Sequence, residues 1–207
     1  VALGAEEHGG WEYMFNGKDV RGWKANRAAD SYKVEDGVLV AHSTSDRSQL
    51  FYVGEDDNLA LFKDFEFVAV VRGAVGSNSG IFFHTDYKLR DAVGHLGSGY
   101  EFQLVNSPGG SKRNVGSLYD VMDIEEAVVD PSKWFEVRIR VEGKRIRGWL
   151  DGRLTFDYTE PEHPVRAPNR KGRVLREEGG AIALQAHDPD SVFYFREVRV
   201  LRLGDEE

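Results

Sequence analysis

Cysteine is absent from these 207 residues, which excludes disulfide scaffolds, thiolate metal centres and a cysteine nucleophile together. No apolar run approaches the ~20 residues of a membrane helix, so no membrane span is expected. Lysine and arginine are in the minority, 27 against 35 acidic residues, and the formal net charge of −8 is spread over many short segments. That balance disfavours nucleic acid as a partner. The opening Val1-Ala2-Leu3-Gly4 carries neither a basic stretch nor a long apolar one, so no signal peptide is readable; a removed signal would leave no trace. Helical periodicity is nearly missing as well, and so are a phosphate-cradling glycine loop, a Gly-x-Ser-x-Gly elbow and any His-x-His or His-Glu-x-x-His spacing.

What the chain does have is short apolar runs alternating with polar residues and punctuated by Gly, Asp and Asn, the period-2 pattern of half-buried antiparallel strands. Ten strands are expected: Tyr32–Val34, Val38–Ala41, Phe65–Gly73, Gly80–His84, Tyr100–Leu104, Phe135–Glu142, Arg145–Leu150, Arg153–Tyr158, Ala181–His187 and Phe193–Leu203. Glu142-Gly143-Lys144 and Asp151-Gly152 read as tight turns, which makes Phe135 to Tyr158 a three-stranded meander. The expectation is an all-β, two-sheet antiparallel jelly-roll sandwich: one domain over 11–203, with flexible tails at 1–10 and 204–207.

The same alternation sorts side chains into faces. Tyr100, Phe102 and Leu104 point to the core, leaving Glu101 and Gln103 on the other face; Ile182 and Leu184 do the same for Gln185 and His187. Placing Ile81 and Phe83 inward puts Phe82 and His84 on that polar face. An aromatic among hydrogen-bonding groups suits a sugar, whose apolar ring face stacks while its hydroxyls bond. The plain alternative for Glu101 and Gln103 is a half-exposed sheet facing water, and for His84 a satisfied packing histidine. A retaining glycosidase would want two carboxyl groups about 5 Å apart. This strand offers Glu101 and an amide. Two long connections, Thr85–Gly99 and Glu160–Gly180, remain; the second holds Arg166, Arg170, Lys171, Arg173 and Arg176 and reads either as a solvated loop or as a rim for an anionic or sugar partner.

Ordered motifs run through nearly the whole chain: Phe15-Asn16-Gly17-Lys18-Asp19 with Gly22-Trp23, Val34-Glu35-Asp36-Gly37-Val38-Leu39, Asp64-Phe65-Glu66-Phe67, Asn78-Ser79-Gly80-Ile81-Phe82, Gly99-Tyr100-Glu101-Phe102-Gln103, Gly116-Ser117-Leu118-Tyr119, Trp134, Trp149-Leu150-Asp151-Gly152 and Gly180 to His187. In this set the chain resembles the 3-keto-disaccharide hydrolase domain family, whose fold is of the concanavalin A-like lectin and glucanase type. The resemblance implies cleavage of glycosides already oxidised at C3, in some members with a divalent metal, and a periplasmic or extracellular location. A C3 ketone acidifies the C2 hydrogen, so one base suffices for elimination of the C1 oxygen, and water then adds back. Glu101 and His187 are the candidate catalytic residues. His84, Phe82, Gln103, Tyr119 and Gln185 are the candidate substrate contacts. Any divalent metal would be held by His84, Glu101 and His187. The rival reading is a non-catalytic carbohydrate-binding, lectin-like module stacking sugar on Phe82 or Tyr119. A third is an interaction domain whose polar face is merely solvated. Oligomeric state is not readable from the sequence.

Overall fold

A computed structural model describes residues 10–204, so most of the two expected tails lies outside the described residues. Thirteen strands form in chain order: β1 (Trp11–Tyr13), β2 (Trp23–Ala25), β3 (Tyr32–Glu35), β4 (Val38–His42), β5 (Ser48–Tyr52), β6 (Phe65–Gly73), β7 (Asn78–Thr85), β8 (Tyr100–Val105), β9 (Phe135–Glu142), β10 (Arg145–Leu150), β11 (Arg153–Thr159), β12 (Ala181–Ala186) and β13 (Val192–Arg202). An eight-stranded sheet runs β11-β10-β9-β6-β13-β4-β3 with β1 also paired to β13, and a five-stranded sheet runs β2-β5-β12-β7-β8. All pairings are antiparallel, and the described residues include no α-helix, only two short 3-10 turns. This is the expected two-sheet jelly-roll sandwich.

Three strands escape the period-2 pattern for physical reasons. β1 and β2 are three residues each, too short to alternate visibly. β5, Ser-Gln-Leu-Phe-Tyr, is buried on both faces and therefore does not alternate at all.

Between the sheets lies one core. Tyr100, Phe102, Leu104, Ile182, Leu184, Val137 and Ile139 are all in it and fully buried, as the alternation requires. Two tyrosines tie elements together inside it. The Tyr32 hydroxyl on β3 donates to the Leu184 carbonyl at 3.1 Å and accepts from the Ala186 N–H, which pins the two sheets to each other. The Tyr100 hydroxyl donates to Glu160 and so anchors the start of the Glu160–Gly180 loop.

β7 departs from regular alternation near its end. Ala183 pairs with Phe82 but Ala181 pairs with Thr85, so β7 contains one extra residue there, a β-bulge, and His84 within it takes a left-handed backbone with φ of 52°. The extra residue turns the His84 side chain away from the face that simple alternation assigns to it.

Candidate functional site

The outer face of the five-stranded sheet is built in cross-strand rows. Gln49 pairs with Gln185, Leu184 with Ile81 and Gly80 with Gln103, so Gln49, Gln185, Gly80 and Gln103 form one row. Phe51, Ala183, Phe82 and Glu101 form the next. Gly80 leaves a gap among the glutamines, and the Glu101 side chain leans into it: a Cβ added at Gly80 would lie 2.7 Å from Glu101 Oε1. That close approach explains the glycine of the Asn-Ser-Gly motif.

Beyond β8, the extended segment Gly116–Tyr119 pairs with the strand's free edge, its Tyr119 N–H donating to the Glu101 carbonyl at 2.9 Å. With Leu118 bridged to Phe102 on the core side, Tyr119 falls beside Glu101 on the outer side. The Thr85–Gly99 and Glu160–Gly180 loops then close over the sheet. Phe51, Phe82, Leu96, Ala181 and Ala183 make a second small apolar cluster under the first of these loops. Gln49 fixes that loop by donating to the Gly94 carbonyl at 2.9 Å. The two loops also lock to each other: Gly99 N–H donates to the Gly172 carbonyl at 2.9 Å, and a Cβ on Gly172 would sit 1.8 Å from the Gly97 carbonyl oxygen.

What the loops leave open is a cleft, partly exposed to solvent, with Glu101, Gln103, Gln185 and Tyr119 at its floor and side and Arg47, Asn78, His95, His187, Arg170 and Arg173 around it. His187 follows directly on β12. Its Nδ1 faces Asp188 and its Nε2 accepts from an Arg47 guanidinium at 2.9 Å, with the Asn78 amide at 3.3 Å. The ring is therefore the neutral tautomer with hydrogen on Nδ1 and a lone pair on Nε2 toward the cleft. Burial works to raise the Asp188 carboxyl, but hydrogen bonds from His187 and Ser191 hold it below its ordinary value. His95 repeats the motif, its Nδ1 2.8 Å from Asp91. Burial and the Arg47 charge pull His95 down against the opposing pull of Asp91.

Glu101 pairs with Arg173 at 3.1 Å, both side chains about nine-tenths buried. Burial lowers the Arg173 guanidinium pKa while Glu101 opposes the shift. Arg113, Arg170 and Arg173 place their guanidinium carbons 4.8, 5.4 and 5.1 Å from the Tyr119 ring centre, so this aromatic seats cations in the cleft wall. Three side-chain polar atoms along the lining are buried without a partner: Gln103 Oε1, Gln185 Oε1 and Arg173 Nη1.

The structure thus brings together six of the seven residues expected from sequence: Glu101, His187, Gln103, Gln185, Tyr119 and Phe82. Phe82 contributes little open ring, being only 6% exposed. His84 is the exception and must be corrected. It is 2% exposed, stacks on Phe65, donates from Nε2 to the Lys63 carbonyl and accepts the Arg176 N–H on Nδ1. Burial keeps it neutral by lowering its pKa. With both nitrogens engaged outside the cleft it contacts neither sugar nor metal.

The expected metal set of His84, Glu101 and His187 is therefore broken. Its remaining members are taken up by Arg173 and Arg47, and guanidinium groups crowd where a divalent cation would sit. Among the described residues no group of three or more His, Cys, Asp or Glu is arranged to hold a metal ion. These residues do not fit the metal. Sequence reasoning missed Arg47, Asn78 and His95. Only the Asp91–His95 spacing and the loop length hinted at the last.

Comparison with known proteins bears on this geometry. The 3-keto-alpha-glucoside-1,2-lyase-like domain matches residues 10–201. The chain belongs to that family. Membership supports a carbohydrate-related function for the domain. A candidate glycosyl hydrolase from Parabacteroides distasonis ATCC 8503 has a similar structure, with a TM-score of 0.72 at 21% identity over 94% of each chain. The exoplasmic/lumenal domain of VIP36, solved with Ca2+ and Man3GlcNAc, has a TM-score of 0.61 at 12% identity, covering 94% of this chain and 89% of that one. The carbohydrate-binding module CBM66 from Bacillus subtilis has a TM-score of 0.53 at 16% identity, covering 90% of this chain and 97% of that one. At these identities the likenesses establish the shared sandwich fold. No curated protein matches the chain.

Proposed function

We propose that this domain cleaves 3-keto-glycosides in the cleft by elimination across C1 and C2 followed by hydration. The observation that carries the reading is His187: a neutral imidazole, oriented by Asp188, with its Nε2 lone pair turned to a cleft lined by guanidinium groups. In the first step Nε2 takes the C2 proton and the electron pair moves onto the C3 oxygen as an enolate. Arg47 moves off Nε2 as substrate enters, and Arg173, whose Nη1 lacks a partner, supplies positive charge for that oxygen. The enolate then restores the C3 carbonyl, forms the C1–C2 double bond and expels the C1 oxygen, which receives a proton and departs as an alcohol. Water adds its hydroxyl to C1 and a proton to C2, so the net reaction is hydrolysis. Glu101, fixed by Arg173 on the same floor, is assigned proton transfer at C1 together with cleft water. Gln103 and Gln185, whose amide oxygens lack partners, receive substrate hydroxyls.

The test is turnover of a methyl 3-keto-glucoside in deuterated water, sampled faster than the keto-sugars exchange without enzyme. Elimination and re-addition then put deuterium at C2 of every product molecule released; direct displacement at C1 leaves C2 no more labelled than the enzyme-free control. Glucoside binding with no turnover would leave a lectin-like module in its place.

A further inference from the structure

We infer that the substrate of this cleft carries a carboxylate: a uronate-type glycoside in place of a neutral one. The inference rests on the cleft as the substrate site but adds the charge of what enters it. In a chain of net charge −8, the lining contains Arg47, Arg170 and Arg173 and a single acidic residue, Glu101. Glu101 is matched to Arg173. Arg170 touches Asp120 through Nε at 3.3 Å; Arg113 shares that carboxylate but also holds Asp123 at 3.0 Å, so these two cations meet two carboxylates. Arg47 has no carboxylate partner among the described residues, and its guanidinium hydrogen-bonds the neutral ring of His187. Arg47 is therefore the guanidinium of the lining that no carboxylate of the described residues touches directly.

A second observation says that the missing anion belongs to a polyhydroxylated ligand. The orphaned amide oxygens of Gln103 and Gln185 accept hydrogen bonds, which sugar hydroxyls donate and a simple inorganic anion does not. Acceptors on the floor and cationic donors on the wall match a ring with hydroxyls on one edge and a carboxylate on another. A guanidinium presents paired N–H groups to a carboxylate, so Arg47 and Arg170 suit the role better than lysines would. Binding of the anion by Arg47 also draws that guanidinium from His187 Nε2 and frees the lone pair that the proposed chemistry uses.

Calorimetric titration of the whole chain with methyl glucuronide and methyl glucoside, neither of them C3-oxidised, tests the idea apart from the reaction. The uronide should bind at least about tenfold tighter, and the advantage should shrink with added salt. Arg47→Gln and Arg170→Gln should each cut the affinity ratio severalfold, whereas Arg170→Lys should keep part of it; unchanged melting confirms that the variants fold. Equal affinity for the two glycosides, or a preference that survives both glutamine variants, overturns the inference. So does tighter binding of the glucoside 6-sulfate, which would make the anion a sulfate. Turnover of the keto-glucoside without a uronide preference refutes this inference alone. A uronide preference without turnover upholds it and refutes the elimination chemistry.

Discussion

The two sheets of this sandwich each turn a polar face outward, and the two faces handle charge in opposite ways. On the eight-stranded sheet, Glu66 receives Arg138 at 2.7 Å and Arg140 at 3.0 Å, Arg140 also clamps Glu142 with two bonds of 2.8 Å, and Arg145 grips Asp157. Each of these cations meets a carboxylate. This face even bears a larger and more open groove than the cleft. On the five-stranded sheet Arg47 has no carboxylate partner among the described residues, and two glutamine oxygens are left without donors. Size does not identify the site; clustering of unmatched polar groups does, because Gln103 Oε1, Gln185 Oε1 and Arg173 Nη1 share one cleft, whereas among the described residues the eight-stranded sheet has a lone Arg72 Nε beside the Trp134 and Tyr194 rings.

The sharpest way to break this contrast is substitution on both faces. His187→Ala should lower kcat by about 10²–10⁴-fold, the range for a general base, while Arg140→Gln on the opposite sheet should leave turnover within about twofold. Equal effects from the two would erase the distinction. Glu101→Gln should also reduce kcat more than it raises KM, with melting close to the parent.

Gly80→Ala comes next. Its new methyl would fall on the Glu101 carboxylate, so the variant should lose about 1–3 kcal/mol and about tenfold in kcat, read by thermal melting and steady-state rates. Glu66→Gln should cost about 1–3 kcal/mol by parting two arginines from a carboxylate that is nine-tenths buried. Unlike Gly80→Ala it should spare turnover.

A smaller effect concerns acid. Burial lowers the folded pKa of His84, so below the ordinary histidine value of about 6.5 the unfolded chain binds a proton that the folded ring resists. Stability from this group is present above that pH and is lost as pH falls toward the folded pKa. His84→Gln should flatten the decline in melting temperature over that window, and an unchanged slope would contradict the assignment. Smallest of all, Asp157→Asn should alter stability by less than about 1 kcal/mol, as expected of a half-exposed pair.

Much of the floor of the site was legible because a regular strand leaves only two faces to choose between. Once Phe102 and Ile182 belong to the core, Glu101, Gln103 and Gln185 have nowhere else to go. The same reasoning failed at His84, where one extra residue in β7 changes the parity; neither the bulge nor the left-handed backbone has a signature in Phe-Phe-His-Thr. His187 reaches the cleft from just beyond its strand, and the adjacent Asp188 that orients it was overlooked. Arg47 and His95 arrive from loops that meet only after both sheets are assembled, so no local pattern announces them. The basic loop was visible as composition. Which of its arginines serve the cleft was not: Arg166 instead bonds the Tyr100 and Tyr158 hydroxyls and Arg176 bonds Asp86.

The glycine contact between the two roofing loops has a consequence for redesign and for divergence within the fold. Because Gly172 lies directly against the Gly97 carbonyl, with no room for even a β-carbon, any other residue at 172 forces the Thr85–Gly99 loop to move. A chimaera whose Glu160–Gly180 segment lacks this glycine would meet the native Thr85–Gly99 segment as a steric mismatch at that crossing. A selection that randomises the Glu160–Gly180 loop should therefore keep glycine at 172 or enrich compensating changes in the Thr85–Gly99 loop.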